Sequence, residues 1–165
     1  MSNLAEKFEH TIPLDLIRRD GDTQMRESIS EVTVVTYAEH MQDGAEFPKV
    51  TVFYDGTADG FHRVAGYERA GIKDVPAEVI EGTRLAAVKY ALHANATNGK
   101  PRTSGDLKKA YDAAVANGIC EATNTKAVIE LLNCSTGRAA SLTSDAIREQ
   151  KEQRNAEILR LHGEG

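Results

Sequence analysis

The chain contains no tryptophan, two cysteines and four prolines in 165 residues. The cysteines, Cys120 and Cys134, form no CxxC or Cys/His pattern, so neither a zinc site nor a disulfide framework is indicated. Free thiols in a helical region are the expectation. No apolar run approaches the ~20 residues that span a bilayer. The first residues, Met1 to His10, are polar and alternate in charge, unlike a secretory signal. Together these absences lead us to expect a cytoplasmic protein. The chain also lacks an excess of positive charge. Its formal net charge of −5 argues against a generic polyanion binder.

What is present reads as an ordinary globular composition, 41% hydrophobic and 27% charged. The length suits one domain, or a small domain with a helical appendix. Residues 1–99 carry 10 Lys+Arg against 16 Asp+Glu, whereas residues 100–165 carry 10 against 9. We therefore expect any nucleic-acid contact to come from local patches in the second half.

The first half alternates short strands with helices. Ile12, Leu14 and Leu16 alternate around Pro13, which suits an edge strand. Ser30 to Gln42 reads as a helix, with Val34, Tyr37, Ala38 and Met41 on one face and Gly44 as its stop. Lys49 to Tyr54 is a strand ended by Asp55-Gly56, and a short extended piece at Thr57-Ala58 follows. Phe61 to Ala70 is a helix ended by Gly71. Val75 to Ile80 is a strand in which Pro76 marks an edge or a start. Arg84 to Asn95 is a helix. Beyond Asn98-Gly99-Lys100-Pro101 the period is helical throughout. Ser104 caps a helix to about Asn117, Thr123 or Asn124 caps a second through Asn133, and a third runs from Thr136 into Glu149 and beyond. The fold class expected is α+β, a small mixed-sheet domain over 1–99 followed by an all-α region over 100–165.

The segment Asp59-Gly60-Phe61-His62-Arg63 lies between a strand and a helix. Such a turn aims unpaired backbone N–H groups and a helix dipole at one point, which suits an anion. Gly60 permits close approach, and the Arg63 fork matches phosphate oxygens. The five residues alone are equally compatible with an ordinary turn carrying surface charges. Asp59 can cap the helix or hold a metal-bound water.

Five elements in order resemble the ParB/sulfiredoxin-like superfamily over most of residues 10–115. They are Ile12-Pro13-Leu14-Asp15-Leu16-Ile17, Gln24-Met25-Arg26, Gly44 to Val52, the turn and helix from Asp59 to Ala70, and Ala94 to Thr103. The last is similar to the tail of phage and plasmid relatives, ahead of a DNA-binding helical part. The resemblance implies that Gly60, His62 and Arg63 contact a triphosphate, that Gln24 and Arg26 face phosphate or a partner, and that Asn95 and Arg102 add contacts from the far side. It implies CTP or ATP with Mg²⁺ as the ligand, with no metal site of the protein's own. Two departures narrow it. Sulfiredoxins carry a cysteine in this turn where the chain has Phe61, so sulfinic-acid reduction is excluded. Chromosomal ParB proteins carry Gly-Glu-Arg-Arg where this chain has Gly-Phe-His-Arg, so a CTP switch of that type is in doubt.

Thr123 to Asn133, Cys134-Ser135 and Thr136 to about Gln150 have the length pattern of a helix-turn-helix. Ser135, Thr136 and Arg138 would then stand at the DNA-facing start of the second helix, as the residue types used against phosphates and guanine edges. A plain helical hairpin packed on the first domain or on a second protomer has the same pattern. The charged tail from Arg148 carries Ile158, Leu159 and Leu161, enough for a small contact in a homodimer. The leading expectation is a ParB-like, nucleotide-binding DNA-binding protein of phage or plasmid type, acting in partition or transcriptional control. A metal-dependent DNase or NTPase with Asp59 and His62 as catalytic candidates is the alternative. A protein–protein adaptor without nucleotide is the third.

Overall fold

In short elements, the first half weaves a four-stranded mixed sheet and covers both of its faces. The computed structural model describes residues 7–21, 23–26, 28–53, 58–97 and 101–163. Strand β1 (Lys7–Pro13) leads through a 3-10 turn at Leu14–Leu16 to helix α1 (Glu31–Gln42). Strand β2 (Val50–Phe53), the two-residue β3 (Ala58–Asp59), helix α2 (Phe61–Arg69) and strand β4 (Asp74–Ile80) follow. Helix α3 (Arg84–Thr97) closes this half, and α4 (Ser104–Ala116), α5 (Thr125–Leu132) and α6 (Thr136–Gly163) complete the chain. The expected turn at Asp55-Gly56, Thr57, and the Asn98-Gly99-Lys100 junction lie outside the described residues.

The sheet order is β1-β4-β2-β3. β4 pairs antiparallel with β1 and parallel with β2, while β2 pairs antiparallel with β3. The α+β class expected from the sequence is therefore observed. Val50, Val52, Val75 and Ala77 point to one face and meet Met41 of α1 and Val64 and Tyr67 of α2. Phe53 and Ile80 point to the other and meet Ala87 and Tyr90 of α3. Covering both faces explains why β2 is buried at every position, a run rather than an alternation.

The first strand ends at Pro13, and Leu14 and Leu16, expected in it, lie in the 3-10 turn. Two further sequence expectations need correction. β4 lies inside the sheet, although it contains Pro76. The proline is tolerated because it stands opposite Thr11 of β1, one residue before the parallel pairing with β2 begins at Ala77. The cap of α4 is Thr103, not Ser104. Thr103 Oγ1 accepts the Asp106 N–H at 3.0 Å and Asp106 Oδ2 accepts the Thr103 N–H at 2.9 Å, a reciprocal capping box. α1 forms despite its Val-Thr-Val-Val start because Ser30 caps it and Val34, Ala38 and Met41 are buried. α1 and α2 approach closely at Gly66, where a Cβ would lie 3.1 Å from the Tyr37 Cβ.

The helical half builds its own core, and that core reaches back across the expected boundary. Val88, Ala91 and Leu92 of α3, with Met25, pack on Leu107, Ala110, Tyr111 and Ala114 of α4 and on Val128, Leu132 and Ala139 of α5 and α6. α3 thus presents one side to the sheet and the other to the helices. The Thr125 and Thr143 hydroxyls pair at 2.9 Å between α5 and α6. From Arg148 to Gly163, α6 is exposed at every position. Among the described residues no helix is long and apolar enough to cross a membrane.

Candidate functional site

The N-terminus of α2 opens onto a cavity of about 680 Å³. Its wall comprises Gly60 to Arg63, its floor Thr51, Asp59 and Glu78 of the sheet, and its sides Ser30, Thr33 and Tyr37 of α1 and Tyr90 of α3. Gln24, Arg26, Thr103 and Asp106 line the side towards the helical half. The floor follows from strand register. Thr51 stands opposite Asp59 on one neighbour and Glu78 on the other, so the three share the face turned to α3. The Thr51 and Tyr90 hydroxyls lie 3.3 Å apart.

Gly60 adopts φ +103°, ψ 38° as the N-cap of α2 and supplies no side-chain cap. A side chain there would strain the backbone, and its Cβ would fall 2.8 Å from Arg63 Nη2. Arg63 therefore folds back over Gly60. Its Nη1 donates to the carbonyls of Pro48, at 2.7 Å, and Lys49, at 2.5 Å, fixing the guanidinium beside the helix start. His62 Nε2 accepts the Ser30 N–H at 3.0 Å and so joins the N-termini of α1 and α2. Asp59 is not the helix cap. Burial pushes its carboxyl above the usual range, and a hydrogen bond from the Gly60 N–H and the charge of Arg63 pull it back.

Gln24 and Arg26 are both in the cavity wall, and they differ in what they offer. Gln24 Oε1 accepts the Arg26 N–H at 3.1 Å, which orients the amide. Its Nε2 is buried and finds no partner among the described residues. Arg26 pairs with Asp106 at 3.1 Å, reaches the Pro101 carbonyl at 3.4 Å, and its own carbonyl accepts from Lys109 Nζ at 2.9 Å. Two acids, Asp20 and Asp22, lie close to Arg26 in sequence. Asp20 pairs with Arg18 instead, and Asp22 lies outside the described residues. Arg102 does not line the cavity. It donates to the Leu132 carbonyl at the end of α5, and burial is the main cause lowering its pKa. The Asn95 side chain lies outside the described residues, as does Asp55.

Ser135, Thr136 and Arg138 are exposed together at the start of α6, where Ser135 Oγ accepts the Arg138 N–H at 3.4 Å. Asn133, in a left-handed conformation at φ 45°, ends α5 and turns the chain into α6. Both cysteines are free thiols, and burial raises the pKa of Cys120. Among the described residues no group of three or more His, Cys, Asp or Glu side chains is placed to hold a metal ion.

The sequence reading missed Thr51, Glu78, Tyr90 and the α1 residues of the wall. Thr51 and Glu78 sit in runs that read simply as strands, and only the pairing register brings them to Asp59. A polar Thr in the otherwise apolar Val-Thr-Val-Phe strand was the available signal.

The arrangement defines a small α+β domain in which a helix start opens on a cavity over a mixed sheet, followed by helices. This is the fold of a ParB N-domain. A structure described as the pNOB8-like ParB N-domain matches with a TM-score of 0.64 over 87% of this chain and 66% of its own length, at 11% identity. A Pnob8-like ParB-N domain matches at 0.58 over 84% and 66%, at 14% identity. The C-terminally truncated chromosome-partitioning protein ParB from Caulobacter crescentus, complexed with CTP-gamma-S, matches at 0.48 over 82% and 77%, at 16% identity, too loosely to carry residue roles. The chain thus spans just under two thirds of the first two structures. At the level of sequence, no family model and no curated protein matches. The resemblance read from Ile12 to Thr103 is borne out at the level of the fold.

Proposed function

We propose that the chain is a nucleotide-binding, DNA-binding protein of the ParB type, acting in partition or transcriptional control in a phage or plasmid setting. The observation that carries this is the cavity at the α2 N-terminus, bordered by Arg26 and Asp106, which tie it to the helical half. Its volume suits a ligand of nucleotide size. The backbone N–H groups of Phe61 and His62 at the start of α2 and the guanidinium of Arg63 favour phosphates. The buried Gln24 Nε2, without a partner among the described residues, supplies a donor for a ligand.

CTP or ATP is the ligand class proposed. Magnesium usually binds through one or two carboxylates plus substrate phosphates, so it would arrive with the triphosphate and meet Asp59 on the cavity floor. α5, the turn at Asn133 to Ser135, and α6 act in this reading as a helix-turn-helix, with Ser135, Thr136 and Arg138 on the DNA. A mobility-shift titration with the chain's own upstream DNA, with and without CTP or ATP, tests both halves. A shift that responds to nucleotide is expected. No shift at low salt under any nucleotide would remove the DNA-binding half.

A further inference from the structure

Arg26 stands in the cavity wall, yet α4 and the segment entering it hold it there. Its Nη1 donates to Asp106 Oδ2 at 3.1 Å and to the Pro101 carbonyl at 3.4 Å. Its own carbonyl accepts from Lys109 Nζ at 2.9 Å. Asp106 and Lys109 lie in α4, and Pro101 just before it. On the other side, Gln24 Oε1 accepts the Arg26 N–H at 3.1 Å. Main chain and guanidinium are thus both fixed.

Asp106 is itself immobilised. The Oδ2 that takes Arg26 also accepts the Thr103 N–H at 2.9 Å, and the Asp106 N–H donates to Thr103 Oγ1 at 3.0 Å. This reciprocal box sets the carboxylate rigidly on the first turn of α4. The Asp106 side chain is 6% exposed and that of Arg26 19%, so little water competes for the pair. Two effects on an anion in the cavity then oppose each other. A carboxylate nearby repels it. A carboxylate gripping one edge of a guanidinium removes rotamer freedom that the anion would otherwise have to remove on binding. Because the Asp106 charge is already matched by Arg26, its repulsion is largely cancelled, whereas the positioning acts in full.

We propose that Asp106 is a positioning residue for the anion site: from α4 it sets the Arg26 guanidinium towards the phosphates of a ligand in the cavity. The helical half thereby completes a site whose other phosphate contacts lie at the start of α2. This rests on the nucleotide reading above and adds that the site is composite. Thr103 acts through Asp106, and Lys109 supports the arrangement by holding the Arg26 main chain.

The test is calorimetric titration of CTP and ATP, each with Mg²⁺, into the full chain and its variants, all checked for folding by circular dichroism. Asp106→Asn and Asp106→Ser remove the charge that grips Arg26, and either one, if folded, serves. Asp106→Glu keeps the charge and suits the same place in a capping box. Freeing one rotamer-rich side chain predicts binding weakened about fivefold to tenfold in the uncharged variants. Asp106→Glu should recover most of the affinity. In an Arg26→Ala background the uncharged variants should cause no further loss, because their effect passes through Arg26. Unchanged affinity in the uncharged variants would overturn the proposal. Tighter binding would overturn it too, since repulsion would then outweigh positioning. So would an equal loss in the Arg26→Ala background, which would mark Asp106 as acting through the fold alone. No binding to the wild type would fail the nucleotide reading itself, and the proposal with it.

Discussion

Gly60 and Asp59 are neighbours with opposite demands, and each yields a prediction at the scale of one residue. Gly60 is held at φ +103°, where a non-glycine residue costs about 1–2 kcal/mol. Its added Cβ would also displace the Arg63 guanidinium, the far end of a flexible side chain that can move. Gly60→Ala is expected to fold with a lowered Tm and to lose triphosphate binding, as thermal melts and calorimetry would register. Asp59 gives a pH signature. Burial raises its carboxyl in the folded state, so ionisation disfavours folding above the ordinary carboxylate range. That cost disappears as pH falls below the unfolded value. Asp59→Asn should therefore raise Tm at neutral pH, and the gain should vanish towards pH ~3–4. An equal gain across the whole pH range would show that another cause operates.

At the scale of elements, the connection between sheet domain and helices rests on a few polar contacts beside a shared apolar core. Asp106 serves two of them, closing the capping box of α4 and pairing with Arg26, and its side chain is 6% exposed. Asp106→Ala removes a cap worth about 1 kcal/mol and leaves Arg26 without this partner, so a loss of about 2–4 kcal/mol in denaturant unfolding is expected. Arg138 is exposed at the start of α6. Arg138→Ala should leave Tm within a degree or two while lowering DNA affinity by about 1–3 kcal/mol if it reads a base. An unchanged mobility shift would take α6 out of the DNA contact.

How far the elements were legible depends on what decides them. The helix from Ser30 was readable because its cap and its apolar spacing agree, and the β-branched start was outweighed by burial of Val34, Ala38 and Met41. The turn at Asp59 to Arg63 was readable as a strand-to-helix junction because the left-handed preference of Gly60 is local. The floor of the cavity was not. Thr51 and Glu78 are 27 positions apart in sequence and adjacent only through parallel pairing, which no local period encodes. The reach of Arg102 to the Leu132 carbonyl and of Arg26 to Asp106 was hidden for the same reason. The position of Pro76 inside the sheet depended on where β2 begins to pair, one residue later.

At the scale of the molecule, the packing couples the cavity to the helices that would meet DNA. α3 contributes to the sheet face through Ala87 and Tyr90 and to the helical core through Val88, Ala91 and Leu92, so the two halves share one helix. By contrast α6 beyond Arg148 is exposed at every described position, Ile158, Leu159 and Leu161 included. Ending the chain after Lys151 should leave the melting transition of the remainder within a degree or two. A large loss would place a partner on that helix.

The central claim is that the α2 N-terminus binds the phosphates of a nucleotide. Calorimetric titration of CTP and ATP with Mg²⁺ into the wild type and into Arg63→Ala tests it most directly. The account predicts saturable binding to the wild type, weakened at least about tenfold in the variant by loss of a charge-assisted contact. No measurable heat with either nucleotide, or equal affinity in both proteins, would contradict it.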